Sequence, residues 1–255
     1  MRLNKVSNGK FMAFVAAVMM MVFVACSEDD PQPAVVYDVQ LQSTSLGEVL
    51  ADADGRTLYF FTRDTDGSSA CAGGCVANWP VFYVENLSVD AGLNADYFGT
   101  ITRADGSRQN TYKGWPLYYF ANDNNPGEVN GENVGGSWYV AKEDYDVMLA
   151  TQEVAGTETR YLVDDWGNSL YWFANDNANV SNCSGGCLDN WPIFGGENLV
   201  LPSALNAASF GSIGSSASQQ VTFETRPLYY FANDDQRGDI NGHDVGSVWF
   251  LEDIQ

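Results

Sequence analysis

The sequence predicts an all-β protein of two homologous tandem β-repeat units with short helical insertions, and four half-repeats as the finer division. Three observations predict it. The pattern Tyr-x-Phe-x-x-Asp occurs four times, at Tyr59-Phe61-Asp64, Tyr118-Phe120-Asp123, Tyr171-Phe173-Asp176 and Tyr229-Phe231-Asp234. The first and third copies lie 112 residues apart and the second and fourth 111, so one long unit has been duplicated. Short aromatic and β-branched runs bounded by Asp-Gly, Pro and Asn-Asp recur throughout, while helical periodicity is scarce. Residues 44–150 form the first unit and 151–255 the second, and a small propeller-like or sandwich arrangement fits either.

The chain opens with Arg2, Lys5 and Lys10 ahead of an apolar run from Phe11 to Ala25, too short for an ordinary membrane span. The run ends at Cys26, so residues 1–25 are similar to a bacterial lipoprotein signal peptide with Cys26 as the lipidated first residue. A cleaved signal followed by an ordinary cysteine is the alternative. Residues 26–43 read as an acidic, Pro-containing tether, and Ser27-Glu28-Asp29-Asp30 resembles the export tag of surface lipoproteins in Bacteroidetes-type bacteria. The expected location is therefore the outer membrane, lipid-anchored and exposed at the cell surface.

Loss of residues 1–25 removes three basic residues and leaves nine against 33 acidic ones, a formal charge of −24. Such a surface repels nucleic acid and anionic headgroups, so neither is an expected partner. The lipid anchor and an unknown protein or glycan ligand are.

Along the chain, Leu50–Asp52, Asp54-Gly55 and Thr57–Phe61 read as a hairpin. Ile101–Arg103, Asp105-Gly106 and Gln109–Tyr112 read as another. Val76–Trp79 and Leu93–Phe98 are the candidates for short helical turns, and Leu117–Phe120 and Leu228–Phe231 for short strands entered through Pro. Alternation places Tyr118 and Phe120 on one face of such a strand and Leu117 and Tyr119 on the other. The motif rings then pack the core; the sharper reading is an exposed platform of Tyr119, Trp172 and Tyr230 that stacks on sugars.

The recurring Asp is expected to accept from backbone amides of the turn that follows it. The oxygen-rich loops from Asp123 to Glu128 and from Asp234 to Asp239 make calcium the alternative, although their spacing is not that of an EF-hand. No other cofactor is implied. Cys71–Cys75 and Cys183–Cys187 are separated by Gly-Gly steps that let the chain curl, which favours two local disulfides in an oxidising compartment. Metal ligation or a redox dithiol is the competing reading, weakened by a single histidine, His243, whose counterpart is Glu132.

The tandem of Leu-Tyr-x-Phe-x-x-Asp, Cys-x-Gly-x-Cys, Trp-Pro, Pro-Leu-Tyr-x-Phe and a closing Trp resembles a family of secreted lipoprotein repeats of unknown function, known by its Tyr-x-aromatic-x-x-Asp motif. The likeness runs from about Leu46 to Gln255 and departs at Trp115, where the second unit has the more usual Arg226, and at Gly131-Glu132. It implies export and repeat architecture, with no activity to carry over. The chain has no Gly-x-Ser-x-Gly elbow, phosphate loop or His-Glu-x-x-His, so no enzyme is expected. A non-enzymatic binding or scaffolding lipoprotein is the leading reading. A carbohydrate-binding module is the second, and an accessory to envelope electron transfer or metal handling the third.

Overall fold

In the first repeat, β1 (Val39–Thr44) and β2 (Gly47–Asp52) form a hairpin, and β3 (Tyr59–Phe61) carries the first motif. One helical turn, α1 (Cys75–Asn78), follows the first cysteine pair. Next come β4 (Phe98–Thr102), β5 (Arg108–Tyr112), β6 (Trp115–Pro116) and β7 (Trp138–Val140). The second repeat repeats the order with β8 (Val147–Val154), β9 (Thr157–Asp164), β10 (Tyr171–Phe173), α2 (Gly186–Asn190), β11 (Phe210–Ile213), β12 (Gln220–Phe223), β13 (Arg226–Pro227) and β14 (Trp249–Leu251). The computed structural model describes residues 36–215 and 219–254. The signal segment, Cys26 and the first part of the tether lie outside the described residues.

Each repeat holds three small antiparallel sheets. They are the β1–β2 and β8–β9 hairpins, the β4-β5-β6 and β11-β12-β13 triplets, and the pairs β3–β7 and β10–β14. The pairs join strands far apart in sequence, Phe61 facing Trp138 and Phe173 facing Trp249. No sheet among the described residues exceeds three strands, so neither a propeller blade nor a wide sandwich layer forms. The β8–β9 turn is Ala155-Gly156, both at positive φ (49° and 83°), the backbone of a tight hairpin whose twist matches its strands.

Three details differ from the sequence reading. Strand β1 begins at Val39, inside the stretch read as tether, because its Gln-Leu-Gln-Ser-Thr composition is polar while Val39 is buried. Position 150 falls within β8, since the second repeat opens with its own copy of the β1–β2 hairpin. Leu117–Phe120 and Leu228–Phe231 are not continuous strands. Each contributes a single bridging tyrosine: Tyr118 bridges Tyr59 and Val81, and Tyr229 bridges Tyr171 and Ile193.

The repeats share one core, in which Val39, Leu58 and Trp115 of the first repeat join Met148, Tyr161 and Trp249 of the second. Their junction explains the departure at Trp115. That ring is 1% exposed, its indole N–H donates to the Asp165 carbonyl at 2.9 Å, and the Arg237 guanidinium lies 4.8 Å from its centroid. Arg237 Nε also donates to the Thr65 carbonyl at 2.7 Å, and Lys113 pairs with Asp165 at 2.5 Å. The matching tripeptide of the second repeat is Glu224-Thr225-Arg226 in place of Lys113-Gly114-Trp115. There Arg226 pairs instead with Glu252, which stands where the first repeat has Ala141.

Trp115→Arg would place a second guanidinium beside Arg237 in this buried junction, where the Asp165 carboxylate is already paired with Lys113. We expect a loss of about 3–5 kcal/mol, the cost of a buried unpaired charge, read by urea denaturation. A change near zero would mean that the junction is open to water.

Candidate functional site

The four motif copies meet in pairs across the halves of each repeat. Tyr59 and Tyr118 exchange backbone hydrogen bonds at 2.8 and 3.1 Å, and Tyr171 and Tyr229 at 2.8 and 2.9 Å. From there each phenol crosses to the aspartate of the other half. Tyr59 donates to Asp123 at 2.6 Å, Tyr118 to Asp64 at 2.5 Å, Tyr171 to Asp234 at 2.6 Å and Tyr229 to Asp176 at 2.7 Å. All four tyrosines are fully buried.

The second oxygen of each aspartate closes its own loop. Asp64 accepts from the Ala70 amide, Asp123 from Asn130, Asp176 from Asn182 and Asp234 from Asn241, at 2.6–3.0 Å. Gly131 and Gly242 lie against the phenols, donating to Tyr59 and Tyr171 at 3.2 and 3.3 Å. A Cβ on either glycine would stand 2.8 Å from the ring.

The phenylalanines cross in the same way. Phe61 stacks on Trp138 at 4.1 Å, Trp138 on Trp79 at 3.7 Å, and Trp79 packs against Phe120 at 4.5 Å. The second repeat repeats the column as Phe173, Trp249, Trp191 and Phe231 at 4.2, 3.8 and 4.3 Å. Each tyrosine stands edge-on to the tryptophan of its own half, Tyr59 to Trp79 and Tyr118 to Trp138. These tryptophans lie outside the compact Tyr-x-Phe-x-x-Asp motif. A signal for them exists, since each lies twenty residues after a motif tyrosine: Trp79, Trp138, Trp191 and Trp249 after Tyr59, Tyr118, Tyr171 and Tyr229.

Both cysteine pairs are disulfide-bonded, Cys71–Cys75 and Cys183–Cys187, each with Cα atoms 5.4 Å apart. The bridges lie in the loop that leads to the stacked tryptophans. In the first repeat the loop is also held by Arg103, which donates to the Cys71 carbonyl at 2.5 Å and to Ser69. The Cys183 loop has no such arginine, because Gly214 and Ser215 stand at the corresponding positions.

The loops considered for calcium use their oxygens internally. Glu128 accepts from the Asn124 amide and the Asn125 side chain at 2.7 and 2.6 Å, and Asp239 from the Gln236 amide at 2.9 Å. Among the described residues no three His, Cys, Asp or Glu side chains are grouped to hold a metal. His243 takes the role of Glu132. Glu132 accepts from the Val140 amide at 2.7 Å, and His243 Nδ1 from the equivalent Leu251 amide at 3.3 Å.

The three rings of the sugar-platform reading meet different neighbours. Arg56 lies over Tyr119 at 4.1 Å and Arg226 over Trp172 at 5.0 Å, which leaves Tyr230 beside an open cleft. Two further clefts occupy corresponding places in the repeats. One of about 330 Å³ is lined by Asn86, Leu87, Phe98, Thr100 and Arg108. The other, of about 600 Å³, is lined by Asn198, Leu199, Phe210, Ser212 and Gln219. Neither is lined by a residue of the tyrosine motifs.

The model of a family described as a secreted repeat of unknown function matches the chain three times, over residues 41–83, 99–142 and 215–251. Each match contains one tyrosine motif, so the unit of the family is the half-repeat that the crossed pairs join. The half around Tyr171 makes the same contacts outside any match. No curated protein and no solved structure matches the chain.

Burial lifts the Asp64 carboxyl to about 7 and that of Asp234 to about 6, against the opposing effect of their phenol hydrogen bonds. It lifts Glu252 to about 8 despite Arg226. The folded chain therefore holds these protons more tightly than the unfolded chain. The associated stability is complete below the unfolded carboxyl range and is lost as pH climbs through 6 to 8. Melting temperature should fall steadily from pH 5 to pH 9, and Glu252→Gln should flatten the alkaline part. A profile that rises over this range would contradict the burial of these groups.

Proposed function

For a chain built of these secreted repeats, we propose a surface-anchored lipoprotein, held at the bacterial outer membrane by a lipid on Cys26, with a non-enzymatic binding or scaffolding role. The observation that carries this reading is the internal use of the repeated chemistry. The motif tyrosines are buried and bonded to aspartates, and the indoles are stacked on one another. No substrate can reach the four motif tyrosines, which are fully buried. Among the described residues the repeats offer to solvent a pair of corresponding clefts and a further cleft beside Tyr230, on an acidic surface.

The first described residues fit a tether that ends near Asp38. Asp38 is pinned to Ser88, whose amide donates to its carboxylate at 2.8 Å, and whose hydroxyl accepts from the Asp38 amide at 3.1 Å. The acidic, Pro-containing stretch between Cys26 and Asp38 thus ends at a fixed point. Fully extended, it spans about 40 Å. Single-chain lipid anchoring is marginal by itself, and a chain this acidic gains nothing from anionic headgroups, so the acyl groups on Cys26 supply the attachment.

Cys26→Ser is expected to move the protein from the membrane fraction to the soluble fraction, read by immunoblot after fractionation. Protease added to intact cells should degrade the wild-type protein. Unchanged membrane partition of the variant, or protection in intact cells, would overturn the anchoring and the surface exposure respectively.

A further inference from the structure

The repeats differ at one solvent-facing place where the first carries its own occupant. In the first repeat the Arg56 guanidinium lies 4.1 Å above the Tyr119 ring, and the Tyr119 phenol donates to Asp52 at 2.9 Å. The second repeat preserves the frame. Tyr230 corresponds to Tyr119 and donates to Asp164, the counterpart of Asp52, at 3.1 Å. Even the ring behind is kept, with Phe82 edge-on to Tyr119 and Phe194 edge-on to Tyr230, both at 5.7 Å.

The arginine is not kept. Its counterpart is Asn168, whose short side chain turns back to Asp164 at 2.8 Å. Where the guanidinium would lie there is a cleft of about 340 Å³, lined by Asp164, Asn168, Pro192, Tyr230, Phe231 and Asp234.

We infer that this cleft binds a guanidinium group supplied from outside the chain, seated over Tyr230 as Arg56 is seated over Tyr119. The inference rests on the binding reading above and names the chemistry of one ligand. A planar cation over a tyrosine face is favourable, and more so when water is excluded on one side. Guanidinium suits such a face better than ammonium because it is flat and weakly hydrated. Two carboxylates, Asp164 and Asp234, border the cleft, and burial holds both above the usual carboxylate range. An incoming cation offsets that cost by favouring the ionised carboxylates. The net acidity of the chain raises the local concentration of any cation. Free guanidinium compounds and arginine side chains of a protein share this chemistry.

The test is calorimetric titration of the purified full-length chain in detergent, with agmatine and the peptides Gly-Arg-Gly and Gly-Lys-Gly as probes. One agmatine should bind per chain, and Gly-Lys-Gly should bind about tenfold more weakly than Gly-Arg-Gly. Tighter binding of Gly-Arg-Gly than of agmatine identifies a protein side chain as the source, and the reverse a free small molecule. Asn168→Arg rebuilds the arrangement of the first repeat, which the fold already accommodates, and should abolish binding with an unchanged melting temperature. Arg56→Asn empties the first-repeat site and should raise the stoichiometry to two. Absence of saturable binding by the wild type at millimolar agmatine overturns the inference. So does a wild-type isotherm from Asn168→Arg, or a cleft that takes methyl glycosides and not agmatine. Titration bears on the cleft alone, whereas the anchoring proposal stands or falls on fractionation.

Discussion

Each motif tyrosine is bonded to the aspartate of the other half-repeat, and the rest of the structure depends on that exchange. Within one half the phenol has no partner and the aspartate has only its own loop amide. Joining two halves satisfies both at once and brings two indoles face to face. An unpaired buried phenol or carboxylate costs more than the net gain of the bond it would make, so an isolated half would fold poorly. Aromatic contacts add about 0.5–1.5 kcal/mol each beyond area burial. The half-repeat is therefore the unit of sequence, and the crossed pair is the smallest unit of structure.

Once that architecture is duplicated, the two copies can differ wherever the exchange is not involved. The junction uses this freedom: Lys113-Gly114-Trp115 receives Asp165 and Arg237, while in Glu224-Thr225-Arg226 the arginine pairs with Glu252. The Tyr119 and Tyr230 sites use it again, one filled by Arg56 and the other open. Internal comparison of the repeats thus separates what holds the fold from what one repeat alone presents. The motif tyrosines fall in the first class. The Asn168 cleft falls in the second.

Much of the fold was legible in sequence because duplication leaves a fixed offset. The motif copies, the local cysteine bridges and the Asp loops closed by backbone amides follow from spacing and from short-range chemistry. The crossing does not, because a repeat of Tyr and Asp is compatible with pairing inside one half or between halves. The twenty-residue step from each tyrosine to a tryptophan carried the stacking partner, but it lies outside the compact motif. Strand β1 is not legible in the sequence, because glutamines on a half-buried strand resemble a polar linker. The role of Trp115 needed the second repeat in place, since it reads as a lone departure until Arg237 is seen above it.

The account is tested most directly by a double-mutant cycle on one crossed pair, Tyr59→Phe with Asp123→Asn, followed by urea denaturation of the four proteins. The two residues are 64 positions apart in sequence and 2.6 Å apart in space. If the phenol and carboxylate of opposite halves hold each other, each single change is destabilising and the double change costs less than their sum. The expected coupling is about 1–3 kcal/mol, the range for a buried hydrogen bond to a charged group. Additive losses, with coupling below about 0.5 kcal/mol, would contradict the exchange as the interaction on which the fold depends.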